Sequence, residues 1–202
     1  MSYSNAKQTK LIKDTAVELF TKNGYENVSV NDICSAAGIA RSTFYLSYSS
    51  KKDIITQMLT GVRLNKEEYF ESFVAAENEF ERMWILCCRY LDVALINGPE
   101  VTGALFRLDL MGEIDIMNEV HTVDDWFIKL TKNCQKLGVI LSTEPAEVLA
   151  PLGVDIAYYT TAEWCRNKGS FNLKQVVRRR AEAVYGIAPD CRMSEEQWLK
   201  LK

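Results

Sequence analysis

Three observations predict an all-α fold. Apolar residues recur at helical spacing along nearly the whole chain. The starts of these stretches carry capping residues, and their ends carry Gly or Asn-Gly-Pro. No stretch alternates apolar and polar residues as paired strands do. The expected architecture is an N-terminal three-helix helix-turn-helix unit over residues 1–50, followed by an all-helical body over residues 51–202.

The first helix is expected over residues 8–22. Ile12, Ala16, Leu19 and Phe20 fall at i, i+4, i+7 and i+8, leaving Lys10, Lys13 and Lys22 outward, and Gly24-Tyr25 ends it. Ser29-x-x-Asp32 is a capping-box pattern. Val30, Ile33, Cys34 and Ala37 then share one face, and Gly38 stands where a helix end needs a residue tolerant of the left-handed conformation. A second short helix opens at Arg41 and runs to Tyr48. Phe44 is expected to be buried with Ile33, Ala37 and Ile39. A further helix runs from residue 51 to about 66.

Beyond that point only periodicity and breaks guide the reading. Residues 70–96 read as one helix closed by Asn97-Gly98-Pro99, and 100–110 as a short one ending near Gly112. Residues 123–136 read as a helix closed by Gly138. Thr143 is expected to cap a long helix over 145–167, with Pro145 in its first turn and Glu144 and Glu147 near the positive end of its dipole. Pro151 predicts a kink or a later start there. Residues 173–185 form the last regular helix, and Arg178, Arg179 and Arg180 read as a solvated or salt-bridged face.

Composition narrows the class. A hydrophobic fraction of 48% is enough for a sizeable core. No apolar run approaches the ~18 residues of a membrane span, and MSYSNAKQTK lacks a signal-like apolar core. The expectation is a soluble, cytoplasmic protein with no membrane partner. Cys34, Cys87, Cys88, Cys134, Cys165 and Cys191 form no CxxC pair and read as small hydrophobes in a reducing compartment. His121 is the single histidine and has no cysteine at ligand spacing, so no metal site is expected. Residues 1–66 hold nine Lys/Arg against five Asp/Glu, a net +4, and the remainder 15 against 22, a net −7. A basic front on an acidic body directs phosphate affinity to the front.

Small residues at the Ala37-Gly38 turn, and a cation with hydroxyls at the start of the next helix, are what a helix-turn-helix needs to seat a helix in a DNA groove. Arg41 is the leading base-contact candidate, because a guanidinium can pair bidentately with guanine O6 and N7. Ser42 is small enough for close approach. Ser29 and Asn31 lie at a helix N-terminus that favours phosphate.

At TAVELFTKNGYENVSVNDICSAAGIA (residues 15–40) and RSTFYLSYSSKKDI (41–54) the sequence resembles the tetracycline-repressor (TetR) family of bacterial transcriptional regulators. The resemblance covers roughly the first quarter of the chain and implies DNA-contact roles for Thr43, Tyr45 and Lys51. Ser47 stands where a phosphate-contacting His or Tyr is common, Leu46 where a polar or aromatic residue is common, and Tyr48 where Phe is usual. The family's last two long helices pack against their copies in a second subunit, which implies a homodimer face built from Ile156, Tyr159, Thr160, Trp164, Val177, Ala181 and Val184. An effector pocket is implied in the middle helices, with Trp84, Tyr90, Phe106, Met111, His121 and Trp126 as candidates. Phe73 and Met117 are further apolar members, and Asp109 could orient a ligand beside His121.

The function so implied is a ligand-responsive transcriptional regulator, read as a repressor, that binds a palindromic double-stranded operator as a homodimer and is released by a small-molecule effector. The alternatives are an activator, a protein-triggered regulator of the same fold, or an enzyme on an all-helical body. Against the enzyme stand the lone histidine and the lack of an acid–His–nucleophile set or Gly-rich phosphate loop. No catalytic residue, metal or cofactor is expected.

Overall fold

The apolar stripe of the first helix closes over the two helices that follow it. Ile12, Ala16 and Phe20 expose no surface, and neither do Ile33, Phe44, Ile54 and Ile55. In this computed structural model, residues 3–60, 66–116 and 124–194 are described. Among them are nine α-helices: α1 (Tyr3–Asn23), α2 (Val30–Ala37), α3 (Arg41–Tyr45), α4 (Lys51–Thr60), α5 (Lys66–Ala75), α6 (Glu79–Leu110), α7 (Asp124–Lys136), α8 (Ala146–Arg166) and α9 (Leu173–Tyr185). A 3-10 turn, Pro189–Cys191, follows. The fold is all-α, with a single antiparallel bridge between Ile140 and Ile187 among the described residues.

The head, α1 to α4, is capped as its sequence demands. Ser29 Oγ accepts from the Asp32 N–H at 3.2 Å, and the Asp32 carboxylate accepts from the Ser29 N–H at 2.7 Å, which completes the capping box. Gly38 takes φ 65° and ψ 35°, the left-handed end that stops α2. α1 begins earlier than its periodicity suggests, at Tyr3.

The head core does not stop at the head. Val101, Ala104, Leu105, Phe106, Leu108 and Ile116, together with Tyr158 of α8, belong to the same apolar cluster as Ile12, Phe20, Phe44 and Ile55. The distal half of α6 therefore packs as part of the head. Its proximal half belongs to other cores, with Phe80 and Met83 in one and Trp84, Leu91 and Ala94 in another. The two halves meet at Gly98 (φ 76°, ψ 167°), where helical geometry is interrupted just before Pro99. Thr102 Oγ1 donates across the break to the Ala94 carbonyl at 3.3 Å. The Asn97-Gly98-Pro99 break thus falls where the sequence put it.

Four expectations for the body need correction. The helix read as 70–96 is two helices, because Asn78 serves as an N-cap and accepts from the Glu81 N–H at 3.0 Å. Thr143 does not cap α8: Pro145 occupies that position without a side-chain cap, and Gln135 Nε2 secures the preceding loop by donating to the carbonyls of Ser142 (2.9 Å) and Glu144 (2.7 Å). Pro151 lies inside α8, which already begins at Ala146, so the later start does not occur. The carbonyl that loses its donor there belongs to Glu147, and both residues are exposed to water.

The fourth correction concerns Arg178: it is salt-bridged, one of the two readings of that face, but it is 0% exposed and so excludes the solvated one. Its Nε donates to Glu182 at 2.7 Å, and its terminal nitrogens hold both oxygens of Glu81 at 2.5 and 3.2 Å. The guanidinium also lies over Phe80, 4.4 Å from the ring centroid. Lys174 pairs with Asp92 at 2.5 Å, adding a second tie between α9 and α6. Arg180 matches the salt-bridged reading, with Glu163 at 2.8 Å.

Candidate nucleic-acid interface

Short as it is, α3 has two sharply different sides. Phe44 and, just beyond the helix, Tyr48 are buried in the head core, while Arg41, Ser42, Tyr45 and Leu46 are exposed. Thr43 and Ser47 lie between these sides. The Phe44 ring holds Tyr45 edge-on at 5.4 Å and Tyr48 at 6.1 Å. The Tyr48 hydroxyl donates to the Thr9 carbonyl (3.3 Å), and the Ser47 and Thr9 hydroxyls pair at 3.0 Å, so α3 is tied to α1 at its far end. What remains outward is one cation, one small hydroxyl, one phenol and one aliphatic side chain on a fixed frame.

Arg41 reaches along this face towards the Tyr45 hydroxyl, a long contact of 3.5 Å, with its guanidinium 6.0 Å from the ring centroid. Both side chains are exposed and can meet a groove together. Ser29 and Asn31 are exposed at the start of α2, but the Ser29 hydroxyl is already engaged in the capping box. Its hydroxyl and then its backbone N–H hold the Asp32 carboxyl below the usual carboxylate range.

Lys51 has a task that its sequence position did not reveal. Its ammonium donates to the carbonyls of Tyr25 (2.8 Å), Val28 (2.9 Å) and Glu26 (3.4 Å), and it lies 4.3 Å from the Tyr25 ring centroid. It braces the loop that delivers α2. Burial, followed by the charges of Glu26 and Glu113, pushes the Tyr25 phenol up to about 12. The head is also pinned to the end of α6 by two exposed ion pairs, Glu26–Arg107 at 3.2 Å and Lys52–Glu113 at 3.3 Å. These pairs span distant parts of the chain and leave no periodic trace in the sequence.

The effector-pocket candidates are spread over different surroundings. Trp84 is buried beneath the Arg178 guanidinium, 5.3 Å from its ring centroid. Phe106 is buried against Tyr158 at 4.5 Å, in the cluster shared with the head. Tyr90 is half-buried and adjoins both of those cores. Met111 and Trp126 are exposed on the protomer surface. His121 and Met117 lie outside the described residues. Phe73 is half-buried on α5. Asp109 is committed internally: its carboxylate accepts from the Tyr158 hydroxyl at 2.5 Å and from the Ile116 N–H at 2.7 Å.

Of the dimer-face candidates, Thr160, Trp164, Val177 and Ala181 are buried inside the protomer, and Ile156 is half-buried. Tyr159, 67% exposed, and Val184 look outward. Val148 and Leu152 extend that outward apolar stripe along α8. Burial pushes the thiols of Cys87, Cys134 and Cys165 up to about 12, which makes them poor nucleophiles and poor metal ligands at neutral pH. No group of three or more His, Cys, Asp or Glu residues is placed to hold a metal ion among the described residues. Among those residues, too, no helix is long and apolar enough to cross a membrane.

A capped support helix, a left-handed glycine turn and a second helix with a cationic, hydroxyl-bearing outer face make up a helix-turn-helix, the arrangement that can seat a helix in a DNA groove. Residues 12–58 match the family described as bacterial regulatory proteins, tetR family. It is similar to the putative mycofactocin biosynthesis transcriptional regulator MftR of Mycobacterium tuberculosis, with 54% identity over 43 residues, which span 21% of this chain and 22% of that one. A longer match is to the biofilm operon icaADBC HTH-type negative transcriptional regulator IcaR of Staphylococcus aureus, 26% identical across 60% of this chain and 72% of the other. The transcriptional regulator FadR of Bacillus subtilis, solved in complex with stearoyl-CoA, shares the fold with a TM-score of 0.64 at 19% identity, over 89% of this chain and 99% of that one.

Proposed function

We propose that this protein is a cytoplasmic, ligand-responsive transcriptional repressor without enzymatic activity, which binds a palindromic operator as a homodimer. The observation that carries the reading is the outward face of α3, where Arg41, Ser42 and Tyr45 project from a buried Phe44–Tyr48 anchor on a head of net positive charge. One such head spans only a few base pairs, and a two-fold pair doubles the contact set. The exposed stripe of Val148, Leu152 and Tyr159 on α8, with Val184 on α9, offers a self-complementary surface for that pairing. Repression agrees with the negative regulation named for IcaR, and response to a ligand agrees with the stearoyl-CoA held by FadR.

The division of α6 supplies a route from ligand to DNA. Its proximal half is packed with the body and its distal half with the head, so a ligand that displaces the first about Gly98 reorients the second. Such a ligand releases the operator only to the extent that it prefers the DNA-incompetent arrangement.

Duplexes selected from a random library, measured by fluorescence anisotropy across a salt series, test the reading. Arg41→Ala should weaken the selected duplex by ~1–3 kcal/mol and leave random DNA nearly unchanged, because a base contact carries sequence preference. Lys51→Ala should weaken all duplexes alike, through loosening of the loop that delivers α2. A protein that stays monomeric by sedimentation, or that ignores every duplex at low salt, would refute the proposal. Effector response is checked separately by adding acyl-CoA thioesters or free apolar compounds to the preformed complex. Release accompanied by a raised melting temperature of the free protein is the expected result.

A further inference from the structure

Leu46 is 79% exposed, more than any other large apolar side chain described in the head. It does not hang from a loose loop. Its N–H donates to the Ser42 carbonyl at 3.2 Å, and its backbone is helical (φ −72°, ψ −22°), so it extends the outward face of α3 by one residue. The N–H groups of Ser47 (2.9 Å) and Tyr48 (3.0 Å) both return to the Phe44 carbonyl. Buried anchors at Phe44 and Tyr48 therefore flank Leu46 on both sides and hold its backbone on the outward side of α3. An aliphatic group carried in water on a fixed backbone, on the exposed side of α3 with Arg41, Ser42 and Tyr45, gains by being covered only when a partner arrives.

We propose that Leu46 is a specificity-determining residue that reads the 5-methyl group of a thymine in each operator half-site. The inference rests on the DNA-binding reading above. Phosphate and the polar edges of guanine, adenine and cytosine offer an isobutyl group nothing. The thymine methyl is the one aliphatic group that unmodified DNA presents in its major groove. Tyr45 is less suited to the task, since its ring is held edge-on by Phe44 and its hydroxyl is approached by Arg41. The exposed face then divides the work, with Arg41 on a guanine edge and Leu46 on a methyl.

The experiment removes a single methyl. Duplexes selected by the full-length protein are resynthesised with deoxyuridine in place of each thymine in turn, and their dissociation constants are measured for the wild type, Leu46→Ala and Leu46→Gln. At one thymine per half-site, deoxyuridine should weaken the wild type about fourfold, the equivalent of one buried methyl at ~0.8 kcal/mol. Both variants should bind thymine and uracil alike at that position. Equal melting temperatures, expected for so exposed a side chain, ensure that the comparison concerns binding, and the Gln variant serves if the Ala variant does not fold. Deoxyuridine tolerated at every position by the wild type, or a loss that persists undiminished in both variants, overturns the assignment while leaving DNA binding intact. Failure to select any duplex overturns the DNA-binding reading itself and this inference with it.

Discussion

The head and the body are both helical, but they are held together over different distances along the chain. In the head, the capping box and several ring contacts join residues within one or two elements, Ser29 with Asp32, Phe20 with Tyr25 and Phe44 with Tyr48, although its core also takes in the distal half of α6. In the body, the decisive contacts join segments far apart. Arg178 meets Glu81 across 97 residues, and the loop after α7 closes on the end of α9 through the Ile140–Ile187 bridge. Local chemistry can specify the turns and caps of the head, whereas the body is assembled from distant pieces. The matches follow the same line, with 54% identity over 43 residues but only 26% over the longer match that covers 60% of the chain.

The largest effect that would sharpen this contrast is loss of the buried cation. Arg178→Ala leaves the Glu81 and Glu182 carboxylates without their partner in a largely dry setting, and should lower unfolding stability by ~3–5 kcal/mol. Urea denaturation of the full chain measures it. Replacing all three members by apolar residues of similar volume should recover most of that loss, since the penalty comes from the stranded charges. A loss below ~1 kcal/mol for the single variant would mean that water reaches the cluster freely, contrary to the complete burial of Arg178.

This difference in range also explains what could be read in advance. The capping box at Ser29, the left-handed Gly38, the buried Phe44 and the 173–185 helix were all legible, because each is decided by residues a few positions apart. The interruption at Gly98 was legible for the same reason. Arg178 was not: its neighbours Arg179 and Arg180 suggest a solvated face, and only the approach of α6 turns that side of α9 inward. Lys51 looked like a backbone contact because its three carbonyl partners lie more than twenty residues earlier in the chain. Trp164 and Val177 looked available to a second subunit because periodicity identifies an apolar face without saying whether the same chain or another covers it.

Two glycine substitutions probe the contrast at a smaller scale. Gly153 lies within α8, and a Cβ there would come within 2.3 Å of the Tyr185 hydroxyl and 3.2 Å of its Cζ. Tyr185 is buried and cannot swing aside, so Gly153→Ala should cost ~1–3 kcal/mol as an overpacking defect. Adding Tyr185→Phe should restore part of the loss by removing the hydroxyl. Gly38 meets nothing within 4 Å, and its constraint is the backbone alone, at φ 65°. Gly38→Ala should therefore cost about 1 kcal/mol, with no neighbouring truncation able to rescue it. Thermal melts of the two single variants and the double variant separate a long-range packing constraint from a local conformational one.

The smallest effect concerns two exposed carboxylates, one from each region. Asp32 is held below the usual range by the hydroxyl and then the backbone N–H of Ser29, and Glu147 chiefly by its hydrogen bond from Lys132 at 2.5 Å. In both, the folded-state pKa is depressed, so each stabilises the fold above its unfolded pKa, roughly 4 for either residue type, and loses that contribution as pH falls through the lower folded value. Salt distinguishes them. A capping bond is a short contact to neutral groups three residues away, whereas an ion pair between exposed side chains is screened at high ionic strength. Carboxylate titration by NMR should find Glu147 moving up towards its ordinary value between low salt and 1 M salt while Asp32 stays low. If both move together, the capping box owes its strength to the field of the basic head, and the contrast between a locally fixed head and a body tied by long-range charge fails at this point.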